Sequence, residues 1–313
     1  MIITEKTSWL RMIFAVRGTT VSRIWPRILV VFLFSLAITG FSLGDPAHKY
    51  SLTAAPFTVI GLALAIFLGF RNSAAYDRYW EGRKLWGRMV NVCRSFTMQI
   101  NTLIQSEDDG HEVKVFQHDM VMLIVAYINA LRHRLRDTDA SEELWQLLGT
   151  DQEISRSLGQ ENVPAGIADQ IARQINRAYR EGWLDKFHVP LLHTNLTEML
   201  SIQGGCERIK STPIPYTYSV LTHRTVLLYC LALPCGLHDT VGLLTPIVVG
   251  LVAYAFLGLD AVGDEVEQPF GTEANHLPLL QLTRMIEINV RQLSDHEPEQ
   301  IPPPIKPTNH ILN

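Results

Sequence analysis

The sequence predicts an all-α membrane protein with four transmembrane helices and a large helical cytosolic domain. Three observations predict it. Four long apolar runs come as two pairs, each joined by a short loop, and each run is near the length a helix needs to cross the hydrocarbon. The segments outside the pairs carry helical periodicity, and no window sustains strand alternation. The composition lies between two classes: 47% of the 313 residues are hydrophobic and 19% charged, with a mean hydropathy of +0.10. That is too apolar for an ordinary soluble enzyme and too polar for a wholly embedded bundle. A net charge of −4 with no basic block argues against nucleic acid as a partner.

Residues 1–27 read as a cytosolic arm bearing Lys6, Arg11, Arg17, Arg23 and Arg27. A cleavable leader places its apolar core much nearer the start, so the first run, Ile28–Leu43, reads as a membrane helix. The second run is Pro56–Phe70, and 28–75 forms the first membrane pair. The third and fourth runs, Tyr216–Gly236 and Val241–Leu259, form the second pair over 213–260, with a loop expected at Leu237–Thr240. The loop Gly44–Ala55 carries only Asp45 and Lys49 as charges, whereas Arg71, Arg78, Arg83, Lys84, Arg88, Arg208 and Lys210 lie on the other side. The positive-inside rule then puts both termini and the middle of the chain in the cytoplasm. His223 and Arg224, near the start of the third run, are expected at the interface or against protein, because a charge facing lipid is costly.

The helical cytosolic domain is expected over 76–212, further cytosolic helices over 261–297 and a proline-rich tail over 298–313. Within it, "VFQHDMVMLIVAYINALRHRLR" is apolar on enough sides to predict a buried helix. "PAGIADQIARQINRAYREGWL" spaces Ile167, Ile171, Ile175 and Tyr179 four apart, an amphipathic stripe opened by Pro164. "SEELWQLLG" offers Ser141 as a cap and Gly149 as a stop.

The chemistry of catalysis is missing. There is no phosphate-cradling glycine loop, no H-E-x-x-H and no nucleophile elbow. His188 and His193 are spaced poorly for one helix face, and Cys93, Cys206, Cys230 and Cys235 form no C-x-x-C pair. No catalytic residue, metal site or cofactor is expected.

The informative stretch is "PFTVIGLALAIFLGFRNSAAYDRYWEGRKLWG", Pro56 to Gly87. It passes from a membrane-like run to a charged, aromatic helix without a break. Small residues crowd it at Gly61, Ala63, Ala65, Gly69, Ser73, Ala74 and Ala75, which lets helices approach closely in lipid. Leu62, Ile66 and Phe70 stand out in a row at i, i+4, i+8. Such a row faces lipid or packs a core, or, if several copies surround an axis, it stacks apolar rings that gate by dewetting.

"FLGFRNSAAYDRYWEGRKLW" resembles the bestrophin signature. Leu62, Ile66 and Phe70 match its three neck positions, and Arg78, Tyr79 and Trp80 its arginine–aromatic set. "EQPFGTE", Glu267 to Glu273, resembles the family's N-P-F-G segment, and "TEMLSIQGGCERI" a segment ahead of the third span. The resemblance implies a bacterial inner-membrane homopentamer in membrane lipid, whose second helices line a pore for small monovalent ions. It also implies a cytosolic aperture, which counting back from Glu198 puts at Pro190 or Leu191. Two departures bear on function. Only Phe70 of the neck is aromatic, which leaves the charge of the permeating ion open between chloride and sodium or potassium. The calcium-activated members' acidic run is replaced by Thr272, Glu273, Ala274, Asn275 and His276, so no calcium clasp is expected. Asp260, Asp264, Glu265 and Glu267 upstream read as a solvated helix end or a subunit contact. The competing function is a membrane-anchored helical interaction or sensor protein without conduction. A proton-coupled transporter is disfavoured, because the first two runs hold no carboxylate.

Overall fold

The structure, a computed structural model, describes residues 18–44, 53–107, 110–149, 152–294 and 297–307. Most of the expected N-terminal arm, the centre of the Gly44–Ala55 loop and the end of the tail lie outside the described residues. Among the described residues the chain is helical, without a strand: α1 (Val21–Gly44), α2 (Ala54–Leu103), α3 (Gly110–Arg136), α4 (Ser141–Leu148), α5 (Gln152–Leu158), α6 (Val163–Arg180), α7 (Val189–Ser211), α8 (Tyr216–Val241), α9 (Thr245–Glu267) and α10 (Leu279–Leu293). Two compact units divide these elements, and the boundary falls inside α2, between Tyr79 and Trp80.

The apolar unit holds α1, the first half of α2, α8 and α9. Among the described residues three stretches are long and apolar enough to cross a membrane, in α1, in α2 and in α8–α9 taken together. Each packs along a narrow stripe. In α1 it is Ile24, Val31, Ser35 and Thr39. In α2 it is Phe57, Gly61, Leu64, Leu68, Arg71 and Ala75, whose alternating steps of four and three match the 3.6-residue turn. Phe57, Leu64 and Leu68 meet Val226, Cys230 and Leu233 of α8 and Val249, Ala253 and Leu257 of α9, with Val31 of α1, in one apolar core. Two glycines let the helices come this close: a Cβ on Gly61 would meet the Tyr229 hydroxyl, and one on Gly236 the Phe57 ring. Of the small residues noted in α2, only Gly61 and Ala75 are used in this way; Ala63, Ala65, Gly69, Ser73 and Ala74 are exposed.

Helix ends differ from the sequence expectation where backbone geometry overrides polarity. The turn expected at Leu237–Thr240 falls later, because α8 continues through His238, Asp239 and Thr240 to Val241. The chain reverses over a 3-10 turn, Gly242–Leu244, where Gly242 adopts φ 60°. Polar side chains do not break a helix, whereas a left-handed backbone angle does, and glycine takes it at little cost. Likewise α1 starts at Val21, ahead of the apolar run that marks it, and α9 runs on past Leu259 to Glu267.

The polar unit is built around α3, which is buried from Met120 to Arg132 on every side, as its apolar breadth predicts. The Tyr127 hydroxyl, with its one proton, lies between two acceptors of α7, the Met199 carbonyl (3.0 Å) and Gln203 Oε1 (2.8 Å). Burial raises its pKa well above the usual tyrosine value, so it stays a donor. Gln203 Nε2 in turn donates to Asn162 Oδ1 (2.9 Å), and Asn162 caps α6 through the Ala165 amide (3.2 Å). The cap of α4 is a correction: Ser141 lies inside the helix, and Asp139 Oδ1 accepts from both the Ser141 amide and its hydroxyl. Gly149 closes α4 as expected, with φ 75°. The cysteines of the described chain are free thiols, and burial pushes that of Cys206 up to about 12, which keeps it unreactive.

The α6 stripe drifts. Ile167, Ile171 and Ile175 are buried, but Tyr179 is 47% exposed and Ala178 takes the inner position. Steps of four overshoot the helical turn by about 40° each, so the third step leaves the core face. Truncation separates the two positions. Ile171→Ala should cost about 2–4 kcal/mol, and Tyr179→Ala should stay within about 0.5 kcal/mol, read as shifts in thermal unfolding of the purified protein. Equal losses would place Tyr179 in the core after all.

Candidate functional site

The face of α2 that carries Leu62, Ile66 and Phe70 is open. These side chains are 66%, 51% and 68% exposed. With about 100° per residue, Leu62 and Phe70 lie roughly 40° to either side of Ile66, while the buried stripe from Phe57 to Ala75 lies about 140–180° away. The row is therefore diametrically opposite the packed face, and it is not a core-packing row. Ser73 and Asp77, both exposed, continue the same line toward the polar end of the helix.

Behind this face sits a feature that sequence reasoning missed. Arg71 is 1% exposed and belongs to the packed stripe. Its guanidinium holds Asp260 Oδ1 (2.7 Å), pairs with Asp264, and faces Glu267 Oε2 at 3.8 Å. His223 Nδ1 of α8 stands 2.6 Å from the other Asp260 oxygen. Glu267 Oε1 accepts from the Ile214 amide (2.9 Å), and its carbonyl accepts from Arg78 Nε (3.1 Å). Three of the four acids expected to form a solvated helix end or subunit contact, Asp260, Asp264 and Glu267, instead face an arginine of the same chain. The signal was present: Asp260, Asp264 and Glu267 are spaced four and three apart, one face of a helix, and an arginine at the end of an apolar run needs a partner. His223 faces protein as expected, while Arg224 is exposed.

His223, Asp260 and Asp264 lie close enough together to hold a metal ion. The Arg71 guanidinium already pairs with both carboxylates, so a metal ion there would compete with it.

The remaining signature residues have local roles. Tyr79 is half-buried, and Trp80 is 49% exposed. Phe270 of the "EQPFGTE" segment is buried against Gly82, where a Cβ would stand 3.1 Å from its ring. The following turn closes on itself: His276 donates its amide to the Glu273 carbonyl, and the Glu273 amide donates to His276 Nδ1, both at 3.1 Å. Pro190 and Leu191 occupy the first turn of α7 in the polar unit, both exposed.

Removing one partner of a buried ion pair strands the others. Arg71→Met should cost about 3–5 kcal/mol of stability, and the double variant with Asp260→Asn should recover part of it. Chelators should leave thermal unfolding of the wild type unchanged. A chelator-induced fall in Tm would show that a metal, not Arg71, holds the cluster.

The comparisons with known proteins agree along the length of the chain. A family model described as bacterial/fungal bestrophin protein matches residues 1–292. A voltage-dependent anion channel-forming protein of Ralstonia nicotianae is 40% identical over 94% of this chain and 94% of its own. One from Escherichia coli K12 is 37% identical over 99% of each. The crystal structure of a bacterial bestrophin homologue from Klebsiella pneumoniae superimposes with a TM-score of 0.81 at 33% identity, over 88% of this chain and 100% of that one. With an all-helical fold, apolar helices of spanning length and the signature residues in place, the chain belongs to the bacterial bestrophin family.

Proposed function

We propose that this chain is the subunit of a homopentameric ion channel of the bacterial inner membrane, with its termini and polar unit in the cytoplasm. In this reading five copies of α2 surround an axis, and Leu62, Ile66 and Phe70 form three stacked apolar rings. The observation that carries it is the open face of α2, exposed on large apolar side chains directly opposite the face that packs. Exposed small residues flank the row at Ala63 and Gly69, which suits close approach of neighbouring α2 helices. The aperture is assigned to Pro190 or Leu191.

Conduction through such a neck is passive. An ion entering it loses hydration, and no side chain replaces the lost water, so the barrier is set by width and wetting. The permeant ions are small and monovalent. The names of the relatives favour anions; the neck itself, uncharged, imposes no sign.

Planar-bilayer recording of the purified protein tests the reading. Ile66→Ala or Phe70→Ala should raise open probability or conductance by widening and wetting the constriction. Leu68→Ala is the contrast: its side chain is fully buried, so truncation should lower stability by about 2–4 kcal/mol without raising current. A wild type silent at all potentials, or neck truncations that leave current unchanged while the oligomer stays intact on size exclusion, would favour a membrane-anchored interaction protein instead.

A further inference from the structure

Asp77 has no role in the packing of the apolar unit. It is exposed, and among the described residues its carboxylate has no hydrogen-bond or ion-pair partner. The contrast with its neighbours is sharp. The other acids of this unit near the polar end of α2 are engaged: Asp260 and Asp264 bind Arg71, and Glu267 accepts from the Ile214 amide. Arg78, the next residue, donates from Nε to the Glu267 carbonyl.

Its direction is set by the helix. Asp77 follows Ile66 by eleven residues and Phe70 by seven, which places it within about 20° of both. Between Phe70 and Asp77 on that line stands only Ser73, small and exposed. The free carboxylate therefore sits on the face of the proposed neck, about two turns beyond its last ring, or roughly 10 Å along the axis at 1.5 Å per residue.

We infer that Asp77 is a charge-selectivity determinant of the conduit. This rests on the pore reading above. With copies of α2 around an axis, Asp77 forms a ring of fixed negative charge at one mouth of an uncharged constriction. The neck cannot discriminate by sign, so the potential at its mouth does. A carboxylate ring raises the local concentration of cations and lowers that of anions before either meets the barrier. Because the ring lies at one end only, its effect is directional: it restrains anions entering from the polar-unit side more than those entering from the other, and the current–voltage curve bends accordingly. Ions are screened over a Debye length of about 10 Å at 0.1 M salt, so the effect should fade as salt rises.

The test is reversal potential under a KCl gradient in planar bilayers, for wild type, Asp77→Asn, Asp77→Lys and Asp77→Glu, with Ile66→Ala as the reference for the pore. Asp77→Asn should lower the potassium-to-chloride permeability ratio, the direction expected when a ring of carboxylates is removed. Asp77→Lys should lower it further and reverse the rectification, Asp77→Glu should restore the wild-type value, and all shifts should shrink at 1 M salt. All variants should elute as the wild type does, since the side chain is exposed. If Ile66→Ala alters current while Asp77→Asn and Asp77→Lys leave reversal potential and rectification unchanged, the inference is wrong and the pore reading stands. If the wild type conducts but Ile66→Ala changes nothing, or if it does not conduct, the pore reading fails and takes the inference with it.

Discussion

The rest of the apolar unit depends on one buried guanidinium. Arg71 is 1% exposed, sealed among helices whose core is a cluster of apolar side chains. An ion there costs several kcal/mol unless it is paired and hydrogen-bonded. The pairing fixes more than its own position. Asp260 and Asp264 are on α9, and His223, which shares Asp260, is on α8. A rotation of α2 by one residue, about 100°, would carry Arg71 out of reach of both acids. Apolar packing tolerates small slides because one methyl resembles another, whereas a charge in low dielectric does not. The cluster thus acts as a registry lock. By holding one face of α2 inward, it presents Leu62, Ile66 and Phe70 outward on the opposite face.

Much of this was legible in the sequence, and the reasons differ by element. The membrane helices are visible because about 20 apolar residues have few other uses in a chain otherwise rich in charge. The buried length of α3 is visible because apolar residues on all sides leave no face for water. The open row of α2 is visible as three large side chains in one line; that it lines a neck is the proposal, which leans on the resemblance around Arg78. What escaped is what periodicity cannot express. Helix ends follow φ at single residues, as at Gly242. A cap follows which oxygen reaches an amide, as with Asp139 rather than Ser141. The Arg71 cluster joins residues some 190 positions apart in sequence; each partner alone reads as an ordinary charge near a helix end, and only their meeting shows that it is buried.

The family pattern and the packing explain different residues. Gly82 and Phe270 are explained by each other, since the ring occupies the space a side chain at Gly82 would need. Gly61 is explained by Tyr229 in the same way. Neither pair requires conduction. Leu62, Ile66 and Phe70 are the reverse case, because nothing among the described residues of the protomer accounts for three large apolar side chains in line at half exposure or more. Lipid alone would accept them, but lipid asks for no alignment and would equally accept them on any outward face.

The open line of α2 also changes character along its length. From Leu62 to Phe70 it is apolar; at Ser73 it turns small and polar, and at Asp77 it becomes charged. A charge placed among the apolar rings would bind its counter-ion where water is scarce, and tight binding slows passage. A charge set two turns away, in contact with water, biases which ions arrive without holding them at the narrowest point. An apolar constriction with an uncompensated carboxylate beyond it separates two tasks that conflict when placed together: limiting flow by wetting, and sorting ions by sign. Arg71 serves both from behind: by binding Asp260 and Asp264 it keeps one face of α2 packed inward and leaves the opposite face open.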